Sequence, residues 1–166
     1  LVQFQNPEKQ KSMDQIEELL TEVKKQGGIA QFNHPWESGE PGSKNEKFWS
    51  PIHESLYQKG LVQTIEVASG KNMDPKLLEL AEQKGLTAMG NQDLHPTLDS
   101  KLRQYNYPHR NMTILFVKER SEAGVKQAIL EDRTVAVWNN TLVGKKKNLE
   151  LLMRSVLSVK AVTTIN

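Results

Sequence analysis

Three times in its first half the chain closes a polar, lysine-bearing segment on glycine and turns directly into an apolar run. KKQGG (24–28) leads into IAQFN, YQKG (57–60) into LVQTIEV, and EQKG (82–85) into LTAM. Glycine after lysine suits a helix end, because glycine adopts the left-handed conformation without steric penalty and the cation meets the negative end of the helix dipole. Short β-branched or small apolar runs after such a stop read as buried strands. A helix–glycine–strand unit repeated in this way points to parallel α/β architecture. The copies are unevenly spaced and too divergent for a solenoid.

Each unit also carries a start signal. Ser12 with Gln15 is a capping-box pattern, and Met13, Ile16, Leu19, Leu20 and Val23 follow at three- and four-residue steps, so a helix is expected to open at Ser12. Ser50-Pro51 and Asp74-Pro75 each place a cap before a proline at the first helical position. The strands expected after these helices are 29–33, 61–67 and 86–89. Further along, 112–118 reads as a strand, Ser121 caps a helix carrying Val125, Ala128, Ile129 and Leu130, and 134–138 returns as a strand. An amphipathic segment, 149–157, is expected to be helical. Residues 1–147 are taken as the body and 148–166 as a C-terminal helix and tail. Two long polar loops, 37–47 and 97–109, interrupt the order and are long enough to suggest a role in function.

Composition narrows the chemistry. The 166 residues hold 22 basic and 20 acidic side chains, a net charge of 22 − 20 = +2 that implies no nucleic-acid partner. No apolar run approaches the ~20 residues of a membrane-spanning helix, so no membrane partner is expected. With no cysteine, thiolate metal sites, cysteine nucleophiles and disulfides are excluded, and any metal must be held by His, Asp or Glu.

In parallel α/β folds the functional face lies at the C-terminal ends of the strands. Those ends present His34 after the first strand, Glu66 on the second, and Asp93 and His95 after the third. Two of the four histidines and two carboxylates thus fall on one expected edge. Such a set without thiolates suits zinc, manganese or iron. Glu66, inside its strand, reads equally as a ligand or as a carboxylate supporting one from behind. His53, in the first turn of a helix, reads as a cap or packing residue. The run Lys145-Lys146-Lys147 after Asn139 to Gly144 reads as a phosphate-cradling loop or a solvated turn. Trp36, Phe48 and Trp49 bracket the first long loop and would line a substrate mouth or pin the loop to the body.

Three segments carry a more specific signal: GGIAQFNHPW (27–36), SPIHESLYQKGLVQTIEVASG (50–70) and MGNQDLHP (89–96). Together with the tail from His109 to Lys147 they resemble the later motifs of the polymerase and histidinol phosphatase (PHP) family, and most of all bacterial PHP-domain phosphodiesterases. The resemblance runs from about Ser12 to about Lys147. It implies part of a distorted (β/α) barrel of PHP type with its N-terminal strands missing. It also implies two or three divalent metal ions (Zn, Mn or Fe) and hydrolysis of a small phosphoester substrate by a metal-activated water. His34, in the His-Pro motif, and the pair Asp93 and His95 match metal ligands of the family. Glu66 matches a glutamate that often ends a strand in it. His109 and Arg110 precede a strand near the same edge and would contact a substrate phosphate, or stand as surface cations.

The family's opening His-x-His and its metal-bridging glutamate are absent from the sequence. They are expected upstream of Leu1, as any signal peptide would be, and a bacterial cytoplasmic or periplasmic location fits equally. The chain is then the C-terminal part of the enzyme and inactive alone. The alternative is a non-catalytic α/β binding domain without a complete metal centre.

Overall fold

The computed structural model describes residues 7–35, 49–95, 97, 100 and 109–158. The expected positions Trp36, Phe48 and most of the two long loops lie outside the described residues. Helix α1 (Pro7–Lys25) leads to strand β1 (Gln31–Phe32), helix α2 (Pro51–Gln58), strands β2 (Thr64–Ser69) and β3 (Asn72–Met73), helix α3 (Pro75–Lys84) and strand β4 (Thr87–Asn91). After these come β5 (Met112–Leu115), α4 (Glu122–Leu130), β6 (Thr134–Trp138), β7 (Thr141–Val143) and α5 (Lys146–Val156).

Local chemistry sets most of these bounds. Asp74 caps α3 by accepting from the Lys76 N–H, Pro75 follows, and Gly85 ends the helix with φ 66°. In α2 the Ser50 hydroxyl accepts from the His53 N–H while the His53 ring accepts from the Ser50 N–H, a reciprocal capping box. Helix α1 begins at Pro7, earlier than the expected Ser12, because proline is well suited to the first helical position and nothing after it interrupts the helix. Of its expected apolar face Met13 is buried, whereas Ile16 and Leu19 are exposed.

The first sheet is built on β2. Strands β1 and β4 pair with it in parallel, and β3 folds back antiparallel on its last two residues. All six residues of β2 are buried, and Ile65, Val67, Leu77, Ala81 and Ala136 belong to one apolar core. Both faces of this strand are covered, so its polar residues Thr64, Glu66 and Ser69 are buried along with Ile65, Val67 and Ala68.

The second half departs from the expected parallel arrangement. Strands β5, β6 and β7 form an antiparallel sheet in that order. The Phe116 N–H donates to the Arg133 carbonyl at 3.0 Å, and Arg133 Nη1 returns to the Phe116 carbonyl at 2.7 Å. Helix α4 therefore leaves and rejoins the sheet at neighbouring points. A parallel crossover would need exit and entry at opposite ends of the strands. At the other end of β6, Asn139 (φ 42°) and Asn140 (φ 62°) make the doubly left-handed turn that matches hairpin twist and returns the chain as β7.

The two sheets meet at β4 through threonine side chains. Thr113 Oγ1 both donates to the Gly90 carbonyl and accepts from the Gly90 N–H at 2.9 Å, and Thr134 Oγ1 donates to the Ala88 carbonyl at 2.7 Å. A Cβ on Gly90 would stand 2.6 Å from the Ala136 Cβ, so only glycine permits this approach. Among the described residues the strands form two open sheets within a mixed α/β fold. No described helix is long and apolar enough to cross a membrane.

Candidate functional site

Because β1, β2 and β4 run parallel, their C-terminal ends share one edge. His34 follows β1 by two residues, Asp93 follows β4 by two, and Glu66 stands inside β2. Both strand-end residues have left-handed backbones, φ 30° at His34 and φ 51° at Asp93. Non-glycine residues are rarely held there unless the surrounding structure over-determines them. The other described cases, Asp132, Asn139 and Asn140, lie in turns.

Glu66 joins these ends. Its side chain is 2% exposed, Oε2 accepts from the main-chain N–H of His34 at 2.5 Å, and Oε1 accepts from Asn91 Nδ2 at 2.9 Å. The structure thus brings Glu66 to the His34 backbone and to the end of β4. Asp93 and His95 meet each other, with His95 Nε2 3.3 Å from Asp93 Oδ1, and both side chains are solvent-accessible.

A second polar link draws β5 to the same edge. The Asn111 N–H donates to Gln92 Oε1 at 2.6 Å, and Asn111 Nδ2 donates to the Gly70 carbonyl at 2.8 Å. His109, two residues before Asn111, has Nδ1 2.9 Å from the Arg110 carbonyl and Nε2 2.9 Å from Asn140 Oδ1 in the β6–β7 turn. Arg110 is exposed. Asn91, Gln92 and Asn111 escaped the sequence reading, although the first two stand inside the segment MGNQDLHP.

An aromatic cluster supports the β1 end. The Phe32 ring packs edge-on against Trp49 and His53, with centroids 5.3 and 4.7 Å away. Trp49 Nε1 donates to Glu54 at 2.5 Å, Lys84 pairs with the same carboxylate at 2.6 Å, and the Tyr57 hydroxyl donates to the Lys84 carbonyl at 2.8 Å. Hydrogen bonds from Lys84 and Trp49 hold the Glu54 carboxyl below its ordinary range, and burial lowers the His53 imidazole. Trp49 is therefore anchored to the body, and His53 both caps and packs.

The lysine run lies elsewhere. Lys145 Nζ donates to the Leu86 carbonyl just before β4, and Lys145 and Lys147 both pair with Asp132 at 2.9 and 3.0 Å. Leu86 precedes the N-terminal end of β4, opposite the edge that holds His34 and Asp93. These cations neutralise an internal carboxylate and do not form a phosphate cradle at that edge.

Imidazole and carboxylate without thiolate suit a divalent ion in kind. In number the set is partial: among the described residues no three His, Asp or Glu side chains come together to hold a metal.

No protein-family model matches the chain, and no curated protein does. Among solved structures it is similar to a two-domain protein from Bacteroides vulgatus containing a predicted PHP-like metal-dependent phosphoesterase. The TM-score is 0.75 at 32% sequence identity, over 88% of this chain. The chain spans 42% of that protein's length. The likeness supports an α/β fold and suggests the PHP family.

Proposed function

We propose that this chain carries part of the metal-binding edge of a PHP-type phosphoesterase, whose substrates are small phosphodiesters. In this reading His34, Asp93 and His95 hold one side of a centre of two or three divalent ions, zinc, manganese or iron. The remaining ligands come from outside the described residues, and the complete domain is a distorted α/β barrel. Arg110, exposed beside the edge, is the phosphate contact and His109 its neighbour. The observation that carries the reading is the placement of His34 and Asp93, both left-handed, just beyond the C-terminal ends of parallel strands flanking β2. The predicted PHP-like metal-dependent phosphoesterase in the similar Bacteroides vulgatus protein supports it.

A second reading, an α/β binding domain without catalysis, is favoured by the lack of any three converging ligands among the described residues. Incubating the chain with Mn²⁺ or Zn²⁺ and bis(4-nitrophenyl) phosphate, with and without chelator, separates the possibilities. Weak metal binding with slow, chelator-sensitive turnover is expected of a partial centre. Robust turnover would contradict partiality, and no metal binding at all would favour the binding domain.

A further inference from the structure

His34 is held against two local preferences at once. Its φ of 30° lies in the left-handed region that L side chains rarely adopt. It also precedes Pro35, which is fully buried, and a residue before proline is normally driven to extended backbone. Something outside the local sequence must fix this conformation. One contact of this kind is made by the buried Glu66 carboxylate, whose Oε2 receives the His34 N–H at 2.5 Å. Its other oxygen is tethered by Asn91 Nδ2 at 2.9 Å, two residues before the second left-handed residue, Asp93. One carboxylate on the central strand therefore ties together the ends of the strands on either side of it.

We infer that Glu66 is a positioning residue that holds the His34 backbone in its left-handed conformation, and through it aims the imidazole, instead of itself ligating a metal. The inference rests on the metal-binding reading for the aim of the ring, and stands without it for the backbone. Glu66 accepts at both carboxylate oxygens, from the His34 N–H and from Asn91 Nδ2, and Glu66→Gln replaces one of these acceptors by a donor, so the tie is weakened at nearly constant side-chain size.

The test is NMR on the unmodified chain and on Glu66→Gln. In the metal-free chain the variant should exchange the His34 amide at least about tenfold faster, since the hydrogen bond protecting it is weakened. Under Mn²⁺ titration, paramagnetic broadening of the His34 ring should require about 10- to 100-fold more metal, the range expected for losing a residue that orients a ligand. The amides of α3 are the internal control and should keep their protection, whereas the His95 ring, at the same centre, should lose broadening with the His34 ring. Unchanged protection of the His34 amide, or faster exchange throughout α3, would overturn the inference. If Mn²⁺ broadens neither ring in the unmodified chain, the metal reading fails on its own, and the amide alone decides: lost protection supports the clamp and retained protection overturns it. Should Glu66→Gln fail to fold, Glu66→Asp keeps the carboxylate but draws it back from the His34 N–H by one methylene. Faster exchange at His34 then supports the clamp, and unchanged exchange overturns it.

Discussion

The carboxylate of Glu66, 2% exposed within β2, accepts from the main-chain N–H of His34, two residues beyond the end of the adjacent parallel strand β1, at 2.5 Å. A buried charge is tolerated only where hydrogen bonds replace the water it has lost. Glu66 finds these at the one edge where the chain also gathers His34, Asp93 and His95. The fold concentrates left-handed backbone and a buried, hydrogen-bonded carboxyl group at the same place.

The approach of the two sheets leaves no room for a side chain at Gly90. Gly90→Ala would place a methyl 2.6 Å from the Ala136 Cβ and 3.0 Å from the Met112 carbonyl, both on the facing sheet. Overpacking of this kind is expected to remove about 1–3 kcal/mol from stability by urea unfolding. A loss within a few tenths would mean the sheets separate easily there.

Helix α3 offers a cleaner local test. Asp74→Ala deletes the acceptor for the Lys76 N–H and is expected to destabilise by about 1 kcal/mol, without altering the candidate site. Equal stability of the variant in urea unfolding would show that solvent replaces the cap in full.

His53 makes stability depend on pH. Burial lowers its pKa from the ordinary 6.5, so below that value the unfolded chain binds the proton more readily than the folded one. Stability is therefore full above about pH 6.5 and falls as pH drops below it. Protonation would also end the acceptance of the Ser50 N–H by the ring. Glu54, whose carboxyl is held below 4.5, contributes a separate loss at lower pH. His53→Gln keeps a capping-box acceptor but does not titrate, so its unfolding free energy should vary less between pH 7.5 and 5.5. Equal slopes for the two proteins would exclude His53 as the source.

Elements whose signals are local were legible in the sequence. Asp74-Pro75 and Lys84-Gly85 bound α3 where expected, and 134–138 is a strand to the residue. Errors arose where pairing overrides local pattern. A strand–helix–strand order at 112–138 reads as a parallel crossover, yet the Phe116–Arg133 contacts close it as an antiparallel pair. Strand β3 has only two residues, too few for any period, whereas the Asn139-Asn140 turn was a readable hairpin signal. For the site, strand-end placement was legible because it follows from element order. For Glu66 the sequence left ligand and supporting carboxylate equally open, because its hydrogen bond to the His34 main chain leaves no mark on sequence spacing.

Whether His34, Asp93 and His95 act together toward a divalent cation is decided by calorimetric titration of Zn²⁺ into the chain and into His95→Ala. The His95 side chain is 81% exposed, so its removal should leave the fold intact. Weak binding is expected of the unmodified chain and at least about tenfold weaker binding of the variant, with unchanged circular dichroism. Superimposable titrations of the two proteins would contradict it.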